Sequence, residues 1–430
     1  MVMDTKQLYE EYMITSMVSG FQPVVVERAS GVTVYGADGK EYLDCFSGIA
    51  VTNAGHGHPR VLAAAKEQMG KLIHCCTYVY YNPRAAELAR MLAEITPGKL
   101  QKSFLANSGA EAVEGAVRLA KQFTKRKELV ALTMSFHGRT VGTLSITGNR
   151  GRKRGSGPYL SGVAFAPAPY CYRCPFRLEY PGCGVACAQY IEDVIRYQTA
   201  GDVAAFVAEP VMGEGGIIIP PPEYFKIAVD LIHRDGALFI ADEVQSGFGR
   251  CGKLFAIEHY DVEPDIMCLA KGIADGFPLS AFIAPSDVAE AFTPGDHLST
   301  FGGNPVSCAA AMANIEVMRE EGLPENAAAL GEQVMARLNK LKETCKLVGD
   351  VRGKGLMIGV ELVKDSAKVP AADEAKKVRQ LCLENGVLVG VGGGLANVVR
   401  LQPPLIITAE QLDRAVEVLE KALAQVASGA

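Results

Sequence analysis

The middle of the chain alternates between short apolar runs and longer stretches in which apolar residues recur at helical spacing. A short apolar run bounded by turn residues is typical of a strand buried on both faces. We predict such strands at Ser103–Ala106, Leu129–Met134, Ala204–Ala208, Ala237–Ala241, Ile266–Ala270 and Leu279–Ala284. Helical spacing follows the first strand at Glu111–Phe123 and the third at Tyr224–His233. Alternation of this kind predicts a mostly parallel sheet with helices on both faces.

The pattern differs on either side of this region. Val32–Leu43 predicts a hairpin around Ala37-Asp38-Gly39-Lys40, and helices are predicted at Pro59–Leu72 and Arg84–Ile95. The elements predicted after Asn304 are helices Val306–Glu320 and Asn326–Cys345, strand Leu356–Val363, helix Asp373–Glu384, short strands around Val387 and Val399, and a helix after Thr408, which has capping-box spacing with Gln411. We therefore predict a large domain (61–304) and a smaller C-terminal α/β domain (305–430), which the N-terminal segment (1–60) joins.

Charge and hydropathy exclude several classes of partner. The formal net charge is −5, so the sequence gives no reason to expect nucleic acid or an anionic membrane as a partner. No apolar run is long enough to span a bilayer, and Met1–Glu11 lacks the apolar core of a secretory signal. We expect a cytoplasmic protein.

The chain has twelve cysteines. Most lie inside apolar runs, where a free cysteine behaves as a small hydrophobic residue. Two close pairs are the exception, namely Cys171 with Cys174 and Cys183 with Cys187. Their spacing is compatible with zinc, but no histidine accompanies them. We expect no bound metal and a loop with free or transiently oxidised thiols.

The segment Asn107–Ala112 follows a predicted strand and opens a predicted helix. Ser108 and Glu111 have capping-box spacing, and Gly109 lets another group approach the backbone. The free N–H groups of a helix N-terminus form an anion site that suits phosphate. A capped helix without a ligand is the commoner explanation of such a segment on its own.

Two further residues lie at strand ends. Asp242 follows the apolar run Leu238–Ala241, and Lys271 directly follows Ile266–Ala270. Open α/β sheets bind ligands at the carboxyl ends of their strands. Taken singly, Asp242 is more often an N-cap and Lys271 more often a solvated strand-end lysine. Together with a phosphate site, they match the needs of pyridoxal phosphate (PLP): an amine for the aldehyde, a carboxylate for the pyridine nitrogen and a cradle for the phosphate.

Several ordered segments carry a specific resemblance. They are Ser47–Val51 with Gly55–Pro59, Asn107–Ala112, Ser135–Thr140, Ala208–Val211, Asp242–Arg250, Ala270–Gly272, Thr300–Pro305 and Arg400. In these segments the chain resembles, nearly end to end, the class III aminotransferases among the fold-type-I PLP enzymes. The loop Pro169–Tyr190 favours the 4-aminobutyrate aminotransferase branch. The resemblance implies a large α/β domain with a mostly parallel sheet flanked by helices, plus a smaller α/β domain.

The resemblance also implies roles for residues of a cofactor site. Lys271 would hold PLP as a Schiff base and later carry the proton, and Asp242 would pair with the pyridine nitrogen. The other cofactor contacts implied are those of Ser108, Gly109, Ala110, Phe136, His137, Val244, Gln245 and Thr300. Because Thr300 would reach the phosphate of a neighbouring subunit, we expect an obligate homodimer with the active site at the subunit interface, and a dimer of dimers stays open.

Substrates would be a small amino donor and a keto acid. Arg139 and Arg400 are candidate carboxylate clamps, because arginine binds a carboxylate through two parallel hydrogen bonds. In the resembling enzymes that act on 4-aminobutyrate, the first arginine binds the remote carboxylate. The second pairs with a glutamate, here assigned to Glu209, until a substrate α-carboxylate displaces it. Ile49 completes the implied substrate site.

Other readings of the same motifs stay open. Racemases, epimerases and dialkylglycine decarboxylases of the same family use the same cofactor residues. A nucleotide-binding oxidoreductase is suggested by Gly390-Val391-Gly392-Gly393-Gly394, but neither a long helix nor a suitably spaced acidic residue follows that run. A purely non-enzymatic binding role would need neither Lys271 nor Asp242.

Overall fold

The computed structural model describes residues 4–15 and 21–429. Its helices are α1 Thr5–Tyr12, α2 Ser47–Ala50, α3 Pro59–Met69, α4 Pro83–Ile95, α5 Gly109–Thr124, α6 Val141–Ile146, α7 Arg150–Lys153, α8 Ala186–Gln198, α9 Tyr224–Arg234, α10 Ser286–Ala289, α11 Pro305–Glu320, α12 Leu323–Thr344, α13 Ala372–Glu384 and α14 Ala409–Ser428. Its strands are β1 Val26–Ser30, β2 Thr33–Gly36, β3 Glu41–Asp44, β4 Lys102–Ala106, β5 Glu128–Leu132, β6 Val163–Ala166, β7 Val203–Ala208, β8 Leu238–Asp242, β9 Ile266–Leu269, β10 Ser280–Ala284, β11 Val348–Lys354, β12 Met357–Leu362, β13 Val387–Leu388, β14 Gly390–Gly392 and β15 Val398–Leu401. Short 3-10 turns lie at Cys171–Arg173, Ala256–His259 and Lys271–Ile273.

A seven-stranded sheet forms the centre of the molecule, in the order β4-β10-β9-β8-β7-β5-β6. Strand β10 runs antiparallel to both of its neighbours, and the other pairs in the sheet are parallel. All residues of β7 and β8 are buried, as expected for strands covered on both faces. The predicted mostly parallel α/β sheet is confirmed.

Helix α5 shows how the sequence fixes the packing of helices on this sheet. Its buried positions, which include Ala112, Ala116 and Leu119, recur at helical spacing and form one face. A Cβ atom at Gly115 would lie 2.2 Å from the Phe282 ring on β10. Only glycine therefore allows the helix to lie this close to the sheet, and this packing sets the height of its N-terminus above the strand ends.

Two smaller sheets lie outside the central one. The first has the order β1-β2-β3-β13, and the second has the order β11-β12-β15-β14. Strand β13, from the C-terminal part of the chain, pairs in parallel with β3, with Val387 opposite Leu43. The predicted division at residues 60 and 304 stays a prediction, although this pairing supports an N-terminal segment that joins the C-terminal part. Among the described residues, none of the helices is long and apolar enough to cross a bilayer.

Candidate active site

A cavity of about 320 Å³ opens at the carboxyl ends of β7, β8 and β9. Parallel strands end at the same edge of a sheet, so the residues that follow them converge there. The predicted site residues that line it are Ser108, Gly109, Ala110, Phe136, His137, Glu209, Asp242, Val244, Gln245 and Lys271. The structure therefore brings together most of the residues that the sequence predicted for the cofactor.

One end of the cavity is the N-terminus of α5. Ser108 caps the helix, and its Oγ accepts a hydrogen bond of 3.3 Å from the Glu111 N–H. The predicted capping box is not complete, because the Glu111 carboxylate accepts the N–H of Asn107 instead of that of Ser108. The N–H groups of Gly109 and Ala110 have no intrahelical acceptor and lie at the cavity wall. This end can bind a phosphate.

Gly109 is needed there for steric reasons. A Cβ atom at this position would come within 2.8 Å of Val244, which follows β8. A side chain at Gly109 would therefore push the helix N-terminus away from the opposite wall. The close approach fixes the distance between the phosphate end and Asp242, two residues before Val244.

Asp242 lines the cavity, and two hydrogen bonds hold its carboxylate in place. Its Oδ2 lies 2.7 Å from Nδ1 of His137, and its Oδ1 accepts the N–H of Val244 at 3.1 Å. Burial tends to lower the pKa of His137, but the hydrogen bond and charge of Asp242 outweigh it and raise the pKa. Both residues are buried. A buried carboxylate held by two donors is suited to binding a protonated ring nitrogen.

Lys271 lies in the turn directly after β9, the strand that pairs with β8 and its last residue Asp242. Burial lowers the pKa of its amine, although the nearby carboxylates of Asp242 and Glu214 oppose that shift. Within the described part of the chain, its ammonium group is in no ion pair. A desolvated lysine with a lowered pKa is an effective amine nucleophile.

Glu209 directly follows β7, and backbone N–H groups bind its carboxylate. Its two carboxylate oxygens accept the N–H groups of Phe136 and Gly213, each at 2.9 Å. Burial, together with the negative charge of Asp242, raises the pKa of Glu209 to about 7. Both oxygens of Glu209 are thus bound by backbone N–H groups, and neither accepts a hydrogen bond from Arg400.

The predicted pair of Glu209 with Arg400 is therefore wrong. Nη1 of Arg400 donates to Oε1 of Glu214 at 2.7 Å, and Arg152 donates to Oε2 of the same carboxylate. Burial opposes ionisation of Glu214, but Arg400 and Arg152 outweigh it and lower its pKa to about 2. The carboxylate partner of Arg400 in the structure is thus Glu214, five residues after Glu209.

Four predicted residues do not line the cavity: Arg400, which is buried on β15, and the exposed residues Arg139, Thr300 and Ile49. Arg139 is exposed, with its guanidinium 5.9 Å from the centre of the Phe136 ring. Thr300 and Ile49 are also exposed, and Ile49 has a left-handed backbone with φ of 73°. A single subunit does not bring the three exposed residues into the cavity, so their roles stay predictions.

Glu214 and Arg152 were not predicted from the sequence. A signal for Glu214 was present, because it lies between Gly213 and Gly215 soon after a strand end. A Cβ atom at Gly213 would lie 1.9 Å from Oε1 of Gln245, so this loop packs tightly against the cavity wall. Nothing in the sequence marked Arg152, which lies in a short basic helix.

A separate small cavity of about 20 Å³ is lined by Cys171, Cys174 and Cys183, which precede α8, and by Cys187 in its first turn. All twelve cysteines are free thiols. Among the described residues, no cluster of three or more histidine, cysteine or acidic side chains is arranged to hold a metal ion.

The residues of the larger cavity fit PLP. The donor set supplies each of the three contacts that this group needs: N–H groups and Gly109 at the phosphate end, the pinned carboxylate of Asp242, and the uncommitted amine of Lys271. Phe136 and Val244 both line the wall and offer apolar surface to a flat ring.

Comparisons with known proteins agree with this chemistry. A family model described as "Aminotransferase class-III" matches residues 15–423. A leucine/methionine racemase from Thermococcus litoralis is 43% identical over 95% of this chain and 92% of its own. An acetylornithine aminotransferase from Methanothermobacter thermautotrophicus is 42% identical, with 97% and 98% covered. A 4-aminobutyrate aminotransferase from Mycobacterium leprae is 38% identical, with 93% and 91% covered.

Solved structures give the same result. An aminotransferase from Bacillus anthracis matches with a TM-score of 0.91 and 34% identity. The match covers 99% of this chain and 100% of that one. The likeness thus extends over the central sheet and both smaller sheets.

Proposed function

The chain belongs to the class III aminotransferases, a PLP-dependent family, and within it we propose that the enzyme moves an amino group from an ω-amino acid or related amine to a keto acid such as 2-oxoglutarate or pyruvate. The fold, the enzyme class and the cofactor that the resemblance implied are thereby confirmed. The observation that supports the ω-amine substrate class is the buried pair between Arg400 and Glu214.

This pair lets one site accept two kinds of donor. In an ω-amine, the carbon that bears the reacting amine carries hydrogens in place of the carboxylate of an α-amino acid. A buried arginine that faces this carbon would have no anionic partner, and its charge would be uncompensated. With such a donor, Glu214 covers Arg400. An α-amino acid such as glutamate brings its own carboxylate, which takes the place of Glu214 on Arg400. The acetylornithine and 4-aminobutyrate relatives are named for amines of the first kind.

The other residues position and move protons. PLP, when bound, withdraws electrons from the substrate carbon. We propose that Lys271 holds the cofactor and then moves the proton at that carbon, and that Asp242 keeps the pyridine nitrogen protonated. His137 holds Asp242 by its hydrogen bond. Arg139 would bind a remote substrate carboxylate once a second subunit covers it.

Replacing Glu214 with glutamine is expected to affect the two half-reactions differently. Without the carboxylate, Arg400 stays unpaired beside an ω-amine, so kcat/KM for 4-aminobutyrate should fall by about tenfold or more. Replacing Arg400 with glutamine should instead reduce kcat/KM for L-glutamate by about a hundredfold. Single-turnover rates, followed through the absorbance of the bound cofactor, measure both effects.

Equal losses with both donors in both variants would contradict the switch. Glu209→Gln is the control variant, because it removes a carboxylate from the same loop that does not pair with Arg400. Because Glu209 does not contact Arg400, its replacement should not discriminate between the two donors, whatever its effect on the overall rate.

A racemase is the second candidate, because the leucine/methionine racemase is 43% identical over nearly the full chain. The two reactions differ in stoichiometry. An aminotransferase consumes one keto acid for each amine converted, whereas a racemase changes optical rotation without any keto acid. Loss of optical activity of leucine or methionine in the absence of a keto acid would favour the second candidate.

We also propose that the enzyme is a cytoplasmic homodimer. The twelve free thiols are in keeping with a reducing compartment. Large apolar side chains are exposed near the cavity: Tyr81 is fully exposed and Phe301 is 62% exposed. The two segments that carry them are adjacent, since Thr77 Oγ1 donates to the carbonyl of Gly302 at 2.7 Å. The segment of Phe301 reaches the cavity wall, since Nδ2 of Asn107 donates to Oγ of Ser299. Such a face favours a subunit interface, which would place Thr300 near a neighbouring site.

Mixing two inactive variants tests this arrangement. If Thr300 contributes to the neighbouring subunit's phosphate site, Lys271→Ala mixed with Thr300→Val after subunit exchange should regain activity. Hybrid dimers then contain one site with both native residues, which sets an upper limit of about a quarter of wild-type activity per protein. A fully active monomer, verified by sedimentation, would contradict the dimer.

A further inference from the structure

Glu214 is bound by two arginines rather than one. Arg400 holds Oε1 at 2.7 Å, and Arg152 holds Oε2. The switch between donors needs only one of these contacts, because the substrate carboxylate competes for Arg400 alone. The competition between the substrate carboxylate and Glu214 for Arg400 therefore does not require the contact from Arg152.

Arg152 is held in place from several sides. Its guanidinium lies 5.8 Å from the centre of the Phe136 ring, and its side chain is 15% exposed. It belongs to α7, whose N-cap residue is Asn149. Nδ2 of Asn149 lies 3.5 Å from the backbone carbonyl oxygen of Glu214. One helical turn thus holds both the backbone and the side chain of Glu214.

The switch creates a problem that this arrangement solves. When an α-carboxylate takes Arg400, Oε1 of Glu214 loses its partner inside a buried site. A buried carboxylate with no cation is costly and either takes up a proton or competes for the arginine it has lost. Arg152 does not face that competition, because it binds the opposite oxygen.

We propose that Arg152 is a positioning residue that keeps Glu214 charged and in place while Arg400 binds an α-carboxylate. It thereby lets one site accept donors with and without that group. This role rests on the proposed function. With an ω-amine, Glu214 bridges both arginines; with glutamate, each arginine has its own carboxylate. Lys271, Asp242 and Glu209 also act on this region, and none of the three is hydrogen-bonded to Glu214.

The test is Arg152→Gln in the holoenzyme, with Arg150→Gln as the matched control. Arg150 lies in the same helix and is exposed. In Arg152→Gln, kcat/KM for L-glutamate should fall about tenfold or more, mainly through KM, while kcat/KM for 4-aminobutyrate stays within about threefold. Arg152→Lys should retain most of the glutamate activity, and Arg150→Gln should match wild type with both donors.

A pH profile separates positioning from mere loss of structure. Glu214 has a pKa of about 2 with both arginines present, so it stays ionised in wild type across the working range. Without Arg152 its pKa rises, and protonation releases Arg400 to the substrate. The glutamate deficit of Arg152→Gln should therefore shrink as the pH falls. Adding Glu214→Gln to Arg152→Gln should also reduce that deficit, because no charge is then left unpaired.

The outcomes are distinguishable. Equal loss with both donors, or a glutamate deficit that does not change with pH, overturns the role of Arg152 while the proposed function stands. A wild-type enzyme that turns over glutamate but no ω-amine overturns the proposed substrate class, and this role with it.

Discussion

Replacing Lys271 with alanine is expected to abolish transamination, lowering kcat by at least about four orders of magnitude. Two proposed functions of Lys271 would disappear together: the covalent attachment of the cofactor and the transfer of the proton at the substrate carbon. The amine is suited to both because burial lowers its pKa and it is in no ion pair within the described part of the chain. Borohydride reduction followed by mass spectrometry measures the first function directly, since wild type gains the mass of one cofactor and the variant does not.

The fold should survive this change. Lys271 has a backbone φ of 47°, and alanine meets the same strain there as lysine because both have a Cβ atom. Lys99→Ala is a control, since Lys99 is exposed and does not line the cavity. Full activity of Lys271→Ala with a native circular dichroism spectrum would disprove the assignment of the cofactor to this residue.

The second large effect is expected for Asp242→Asn. An amide keeps the shape of the carboxylate but not its charge, so the pyridine nitrogen loses its proton and the cofactor withdraws electrons less strongly. We expect proton removal from the substrate carbon to slow by about three orders of magnitude while the cofactor stays attached. Single-turnover absorbance changes with L-glutamate measure the rate.

His137 provides an independent readout for the same variant. Asp242 raises the pKa of His137 against the effect of burial. Without the aspartate charge, the effect of burial dominates and the pKa of His137 falls. The imidazole then becomes neutral at a lower pH than in wild type. NMR titration of labelled histidines in both proteins detects this shift. A near-normal rate in Asp242→Asn would show that another group protonates the ring.

The parallel strands could be predicted because each is a continuous apolar run, a pattern that burial on both faces produces. Strand β6 was missed, since its four residues alternate between buried and half-buried and are followed by proline-rich chain. Helix α8 was missed for a related reason. It begins after Val185, which has a left-handed backbone and provides no side-chain cap, so no start signal stands in the sequence.

The candidate site likewise contains some residues that could be predicted from the sequence and others that could not. Lys271 and Asp242 could be predicted because strand ends converge wherever strands are parallel. The choice between Glu209 and Glu214 depended on which carboxylate the backbone N–H groups of Phe136 and Gly213 bind, and no local pattern encodes that. Arg139 and Thr300 are exposed in one subunit, so their roles depend on a surface that a single chain does not supply.

The one antiparallel strand of the central sheet has a consequence for engineering. Because β10 is antiparallel to β9, the chain between the two strands reverses direction at the cavity. A connection between two parallel strands would instead have to return to the opposite edge of the sheet, usually through a helix. This connection contributes Phe277, Pro278 and Leu279 to the cavity wall. Both of its ends are clamped by strands of the same sheet. A library confined to Phe277, Pro278 and Leu279, with Lys271 of the same connection unchanged, would reshape the space for bulky amines. The helix at the phosphate end and the carboxylate on β8 would keep their positions.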